Sequence, residues 1–127
     1  MTGEDIILYS EFVESKSKRG NEIIEDLTPE KAELLHMAVG VCGEAGELLD
    51  AIKKHCIYTK PLDYRNIVEE LGDIEFHMQG IRNLVGIDRL DCISENIKKL
   101  NTRYKEGYSN NQAIERQDKR IDAWREL

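Results

Sequence analysis

The fold is decided by two stretches, LLHMAVGVCGEAGELLDAI at residues 34–52 and IVEELGDIEFHMQGIRNLV at residues 67–85. In each, apolar residues follow one another at steps of 4, 3, 4, 3 and 4, the spacing of a helix face that packs on another helix. These positions are Leu34, Ala38, Val41, Ala45, Leu48 and Ile52, and then Ile67, Leu71, Ile74, Met78, Ile81 and Val85. We therefore expect two long helices that pack against each other along these residues.

Residues typical of helix ends mark the limits of both stretches. Thr28 followed by Pro29 is typical of a helix start, because threonine can cap and proline suits the first helical position. Asp63 is predicted to cap the second helix, and Gly86 to end it. Asp88 is predicted to cap a third helix.

The rest of the chain extends this helical pattern. The third helix carries apolar residues at helical spacing and is predicted to end at Gly107. Amphipathic segments at about residues 4–18 and 111–124 are also predicted to be helical, with a polar connection over residues 15–26. Short connections favour antiparallel neighbours. We expect an all-α fold, a compact bundle of four to five helices in a single domain 1–127, with a core at 29–107 and a C-terminal helical arm at 108–127.

Composition excludes several classes of function. The chain has 127 residues, 40% of them hydrophobic, and a formal net charge of −7. Such an acidic domain is unsuited to binding a polynucleotide or an anionic membrane surface. Cys42, Cys56 and Cys92 lack the spacing of a zinc site or a disulfide framework, so we expect three small core residues in a reducing compartment. Because no apolar run has the length of a signal or a membrane span, a cytoplasmic protein is expected.

Two acidic pairs carry the chemistry of this sequence, Glu44-x-x-Glu47 and Glu70-x-x-Asp73. Both pairs have the same phase relative to the apolar pattern of their helix, so in an antiparallel pair they converge on one side. Two like charges about 4 Å apart repel by roughly 4 kcal/mol at an effective dielectric constant near 20, so this cleft needs protons or cations. Oxygen ligands without cysteine or a positioned histidine favour Mg²⁺ or Mn²⁺.

Two other interpretations of the acids are open. A single Glu-x-x-Glu on a helix is usually a solvated surface, and only the shared phase of the two pairs favours a metal site. A di-iron site would need a histidine three residues after a glutamate on each of two helices. His77 instead lies four residues after Asp73, so iron is the weaker interpretation.

Basic and small residues accompany the acids. On the third helix, Lys99 and Arg103 lie with Asn96 on the flank predicted to face the acidic cleft. Cations held by carboxylates beside lysine and arginine suit a polyphosphate. Three glycines within the helices would admit either a close helix approach or a metal–phosphate group, although each costs about 1 kcal/mol relative to alanine. These glycines are Gly43, Gly46 and Gly72.

Taken together, these motifs resemble the MazG-like branch of the all-α nucleoside triphosphate pyrophosphohydrolases, over about residues 34–118. The resemblance rests on Glu44-x-x-Glu47, a gap of 22 residues, Glu70-x-x-Asp73 and Asn96-x-x-Lys99-Leu100-x-x-Arg103-Tyr104. It implies hydrolysis of a (deoxy)nucleoside triphosphate to the monophosphate and pyrophosphate, with water attacking the α-phosphorus. It also implies assembly into homodimers or homotetramers.

The same resemblance implies roles for individual residues. Glu44, Glu47, Glu70 and Asp73 would bind Mg²⁺, with Mn²⁺ as a substitute, and one catalytic glutamate, Glu44 first or else Glu47, would help to activate water. The substrate would be bound by Asn96, Lys99, Arg103 and Tyr104. An alternative is a helical oligomerisation or regulatory module with this fold and little turnover. The intact acids favour the enzyme, since a binding module does not need four repelling carboxylates.

Overall fold

The helix ends are where the amino-acid sequence acts most directly on the structure, a computed structural model that describes residues 2–105 and 107–116. Its helices are α1 (Gly3–Lys16), α2 (Gly20–Asp26), α3 (Pro29–Cys56), α4 (Tyr64–Val85), α5 (Arg89–Arg103) and α6 (Asn110–Glu115). Within the described ranges no β-strand occurs, apart from an isolated bridge between Lys105 and Gly107. The prediction of an all-α fold is confirmed.

The predicted caps of the long helices are present. Thr28, Asp63 and Asp88 each accept a hydrogen bond from a backbone N–H in the first turn of α3, α4 and α5, at 3.2, 3.1 and 2.9 Å. Gly86 ends α4 with φ +70°, a left-handed conformation that glycine adopts without the strain of a side chain. Local side-chain chemistry therefore sets these boundaries, as predicted.

Three segments differ from the predictions. The polar connection includes α2, a helix of 7 residues whose only apolar members are Ile23 and Ile24, too few to produce a periodic pattern. The third helix ends at Arg103 rather than Gly107, because Tyr104 leaves the helical conformation with φ −127° and ψ 69°. The last predicted helix appears as α6, and its expected continuation to Trp124 lies outside the described residues.

The chain divides into two compact units, Met1–His36 and Met37–Leu127. The first contains α1, α2 and the beginning of α3, and the second contains the rest of α3 with α4, α5 and α6. The boundary thus falls inside a continuous helix. The prediction of one domain with a core at 29–107 stays a prediction.

In the second unit, α3 and α4 meet along a face that only partly follows the predicted apolar pattern. Among the described residues, Ala51 and Glu70 are the two that are buried. Four positions that the pattern placed in the contact are instead exposed, so for them the prediction is wrong: Ala45, Ile52, Leu71 and Val85. The contact is turned toward the flank that carries the glutamates, because Gly40 and Gly80 on that flank let the two helices approach each other.

The cysteines also differ from expectation. Cys42, Cys56 and Cys92 are free, as predicted, but all three are exposed rather than in a core. Among the described helices, none has both the length and the apolar character that crossing a membrane requires.

Candidate metal centre

Three glutamates form the candidate metal centre. Glu44 and Glu47 lie one turn apart on α3, and Glu70 reaches them from α4. Each offers one carboxylate oxygen, and these oxygens all lie within 4.8 Å of one another. Glu70 is buried, Glu44 is half-buried and Glu47 is exposed, so the cluster extends from the helix contact to the surface.

The cluster has an excess of negative charge. Side-chain hydrogen bonding with Glu44, burial, and the negative charge of Glu47 raise the pKa of Glu70 to about 7. Two ionised carboxylates both accept hydrogen bonds and neither donates, so the Glu44–Glu70 contact becomes a hydrogen bond only when one of them is protonated. Otherwise, one Oε2 atom on Glu44 and one on Glu70 are buried without a partner among the described residues. The arrangement therefore favours a proton or a cation between the helices.

The donor set fits a hard divalent cation. All three ligands are carboxylates, and oxygen ligands are those that Mg²⁺ and Mn²⁺ prefer. The two buried oxygens that lack partners are the atoms that a cation would satisfy. A carboxylate cluster alone is common on protein surfaces, but one with a buried member and unsatisfied oxygens is energetically unfavourable without positive charge.

Asp73 does not join this cluster. It lies one turn after Glu70 on α4 and is exposed, and the group of ligand atoms within 4.8 Å consists of the three glutamates. The structure thus brings together three of the four acids expected in one cleft. The role of Asp73 as a metal ligand stays a prediction.

Beside the cluster lies an open cleft of about 490 Å³. Glu47 and Glu70 line it together with Gly43 and Gly46, and a Cβ atom at either glycine would have nothing outside its own helix turn within 4 Å among the described residues. Close helix approach therefore does not explain these glycines, nor Gly72, whose Cβ position is equally open. The other expected explanation was space for a metal–phosphate group beside the acids, and the positions of Gly43 and Gly46 in the cleft agree with it.

Comparison with known protein families agrees with the resemblance seen in the sequence. The model of the MazG nucleotide pyrophosphohydrolase domain matches residues 30–108 of the chain. The chain belongs to this family. The match includes the three glutamates on α3 and α4 and all of α5. Comparison with the curated proteins and with the solved structures found no match.

The MazG domain has two cleft residues that the sequence analysis missed, Asp50 and Asn66. Asp50 forms ion pairs with Lys54 at 3.0 Å and Lys53 at 3.9 Å, and the hydrogen bond and charge of Lys54 lower the pKa of Asp50. Helical spacing could have revealed both residues, since Asp50 follows Glu47 by three positions and Asn66 precedes Glu70 by four.

The expected substrate residues of the MazG domain lie on or just after α5. Asn96 is exposed, whereas Lys99, Arg103 and Tyr104 are half-buried. The Arg103 guanidinium lies 5.7 Å from the centre of the Tyr104 ring, and that ring lies 5.1 Å from the Tyr108 ring. Within the described part of the chain, no hydrogen bond or ion pair joins Asn96 or Lys99 to the three glutamates. Their role in binding phosphates stays a prediction.

Proposed function

We propose that this MazG domain hydrolyses a (deoxy)nucleoside triphosphate to the monophosphate and pyrophosphate, with Mg²⁺ as the cofactor. Family membership indicates nucleotide pyrophosphohydrolase activity in general. One observation carries the finer proposal: three glutamate oxygens lie within 4.8 Å of one another around a buried carboxylate. Such a cluster needs a cation, and a nucleoside triphosphate is a substrate that shares its cation with the enzyme.

The glutamates have different parts in this proposal. Glu44, Glu47 and Glu70 would hold the cation through their clustered oxygens, with Asp73, one turn after Glu70, as a further ligand. The bound cation supplies positive charge that binds phosphate oxygens and makes water a better nucleophile at neutral pH. Glu47, which is exposed and lines the cleft, orients the attacking water and accepts its proton as that water attacks the α-phosphorus. Because an oxygen of Glu44 is buried against α4, we prefer Glu47 for this step.

Basic residues of α5 complete the proposed site. Lys99 and Arg103 neutralise the phosphate oxygens that the cation does not contact, and Asn96 binds the sugar or a phosphate. Tyr104 supports Arg103 through the contact between its ring and the guanidinium. We also propose that the protein acts in a reducing compartment such as the cytoplasm, where exposed cysteines stay free.

We further propose that the chain works as a homodimer or homotetramer. Six large apolar side chains on α3, α4 and α5 are between 49% and 70% exposed. Exposed apolar surface of this extent is unfavourable in water and marks an interaction site. A second copy presents the same apolar helix faces, so copies can cover one another. The residues are Leu49, Val68, Leu71, Phe76, Leu90 and Ile97.

The proposal is tested by measuring pyrophosphate release from each common ribo- and deoxyribonucleoside triphosphate with Mg²⁺. We expect release from at least one of them and a loss of about a hundredfold or more in kcat for Glu47→Gln, since general-base catalysis contributes roughly 10²–10⁴-fold. Glu69→Gln is the matched control, because Glu69 is an exposed glutamate outside the cluster. Failure of every substrate would refute the enzyme and favour the regulatory module, whereas full activity of Glu47→Gln would refute the role proposed for Glu47.

A further inference from the structure

Two glycines let α3 and α4 come close together next to the glutamate cluster. A Cβ atom at Gly40 would overlap the Nδ1, Cε1 and Cγ atoms of the His77 ring, with Cγ at 2.5 Å. A Cβ atom at Gly80 would lie 2.6 Å from Sδ of Met37. These separations are far below van der Waals contact, so either methyl group would force a side chain or a whole helix to move.

The two contacts are reciprocal. Met37 precedes Gly40 by three residues on α3, and His77 precedes Gly80 by three residues on α4. Each helix therefore places one side chain on the glycine of the other, one turn from its own glycine. We call these two contacts, His77 on Gly40 and Met37 on Gly80, the interlock. The interlock opposes sliding of the helices, because a slip in either direction moves each side chain off the opposing glycine.

This interlock has the same register as the glutamates. On α3, Glu44 and Glu47 follow Gly40 by four and seven residues, about one and two helical turns, and on α4 Glu70 precedes His77 by seven residues, about two turns. A slip of one residue moves a helix by about 1.5 Å and turns each side chain by about 100°. Either movement would separate oxygens that now lie within 4.8 Å of one another.

The position of the His77 ring depends on packing contacts. Its Nδ1 atom is buried without a hydrogen-bond partner among the described residues. One face of its surroundings is the Gly40 backbone, and the Phe76 ring makes an edge contact at 5.3 Å between ring centres. A ring whose Nδ1 makes no hydrogen bond among the described residues is positioned by packing, so a methyl group at Gly40 displaces either this ring or α4.

Other glycines of the same helices provide a contrast. In the part of the chain that the structure describes, a Cβ atom at Gly72 on α4 would have nothing outside its own helix turn within 4 Å, whereas those at Gly40 and Gly80 meet the opposite helix. Because a helical glycine costs about 1 kcal/mol relative to alanine, alanine at an open position should be tolerated or stabilising. Only the two interlocked glycines are required for helix approach among these three.

We infer that Gly40 and Gly80 are positioning residues, because the room that they leave for His77 and Met37 sets the separation and register of α3 and α4. Through this register they set the spacing of the three glutamates. The inference rests on the proposed function, in which those glutamates bind a divalent cation. It adds that the cation affinity depends on two glycines that lie outside the group of ligand atoms.

The experiment measures Mn²⁺ binding to the full chain by the electron paramagnetic resonance signal of free Mn²⁺, with helix content followed by circular dichroism. For Gly40→Ala we expect a loss of about tenfold or more in affinity, as when groups that orient metal ligands are changed. For Gly80→Ala we expect a smaller loss, because Met37 is flexible and can turn away. Gly72→Ala is the matched control and should bind like the wild type.

A rescue variant separates positioning from simple loss of folding. His77→Ala added to Gly40→Ala removes the overlap and should restore most of the Mn²⁺ affinity. If Gly40→Ala does not fold, this double variant decides, because removal of the overlap should restore both folding and binding. A double variant that remains unfolded, or remains as weak as Gly40→Ala, overturns the inference.

The two hypotheses fail in different ways. Absence of Mn²⁺ binding by the wild type overturns the proposed metal site. Wild-type binding together with equal binding by Gly40→Ala overturns the positioning role alone.

Discussion

Lowering the pH from 8 to 6 should weaken divalent cation binding about tenfold. The cause is the proton that competes with the cation for Glu70, whose pKa is raised to about 7 by Glu44, burial and Glu47. With that pKa, about nine tenths of the Glu70 carboxyl groups are ionised at pH 8 and about one tenth at pH 6. If the cation requires the ionised form, its apparent affinity falls by the ratio of these fractions.

The assay is a Mn²⁺ titration of the full chain at pH 6, 7 and 8. Calorimetry at pH 7 in two buffers of different ionisation enthalpy should also show release of about half a proton for each Mn²⁺ bound. Glu70→Gln should bind weakly at every pH and lose the titration near pH 7. Glu69→Gln should keep the wild-type profile, because Glu69 is exposed and outside the cluster.

Two results would refute this reasoning. One is a wild-type affinity that does not change between pH 6 and pH 8. The other is a tenfold change that persists in Glu70→Gln, which would assign the proton to another group.

Three further predictions concern stability, metal ligation and assembly. Because the pKa of Glu70 is higher in the folded chain than its ordinary 4.5, its contribution to stability is complete below about pH 4.5 and is lost as the pH rises through about 7. With EDTA present, Tm should therefore fall over this pH range more in the wild type than in Glu70→Gln, and equal slopes of Tm against pH would contradict this prediction. Asp73→Asn should reduce Mn²⁺ affinity less than Glu47→Gln, since Asp73 lies outside the cluster, and equal losses would show that it is a full ligand. Leu71→Lys should lower the mass measured by analytical ultracentrifugation, because it places a charge on an exposed apolar helix face, and an unchanged mass would exclude Leu71 from the interface.

Much of the helical framework could be predicted because it depends on neighbours in the chain. Thr28, Asp63 and Asp88 cap their helices through hydrogen bonds that span two or three residues, and such contacts are visible in sequence spacing. The same holds for Gly86, because its left-handed φ is a local feature and a Cβ atom there would meet no other element among the described residues within 4 Å. By contrast, α2 has too few apolar residues for a detectable period.

Apolar spacing and helix-end residues were sufficient to predict the long helices α3 and α4, and the phase of the acids predicted that Glu44, Glu47, Glu70 and Asp73 face one cleft. The packing of the two helices was needed to show that Glu70 is buried, that Asp73 lies outside the cluster, and that Leu71 is exposed. It also distinguished Gly40 and Gly80, which the other helix covers, from glycines with open space such as Gly72. The physical reason is that helical periodicity records the angle of a residue around its own helix. Burial and steric contact depend on which residue of the other helix lies opposite, and side-chain shape in the packed pair decides that.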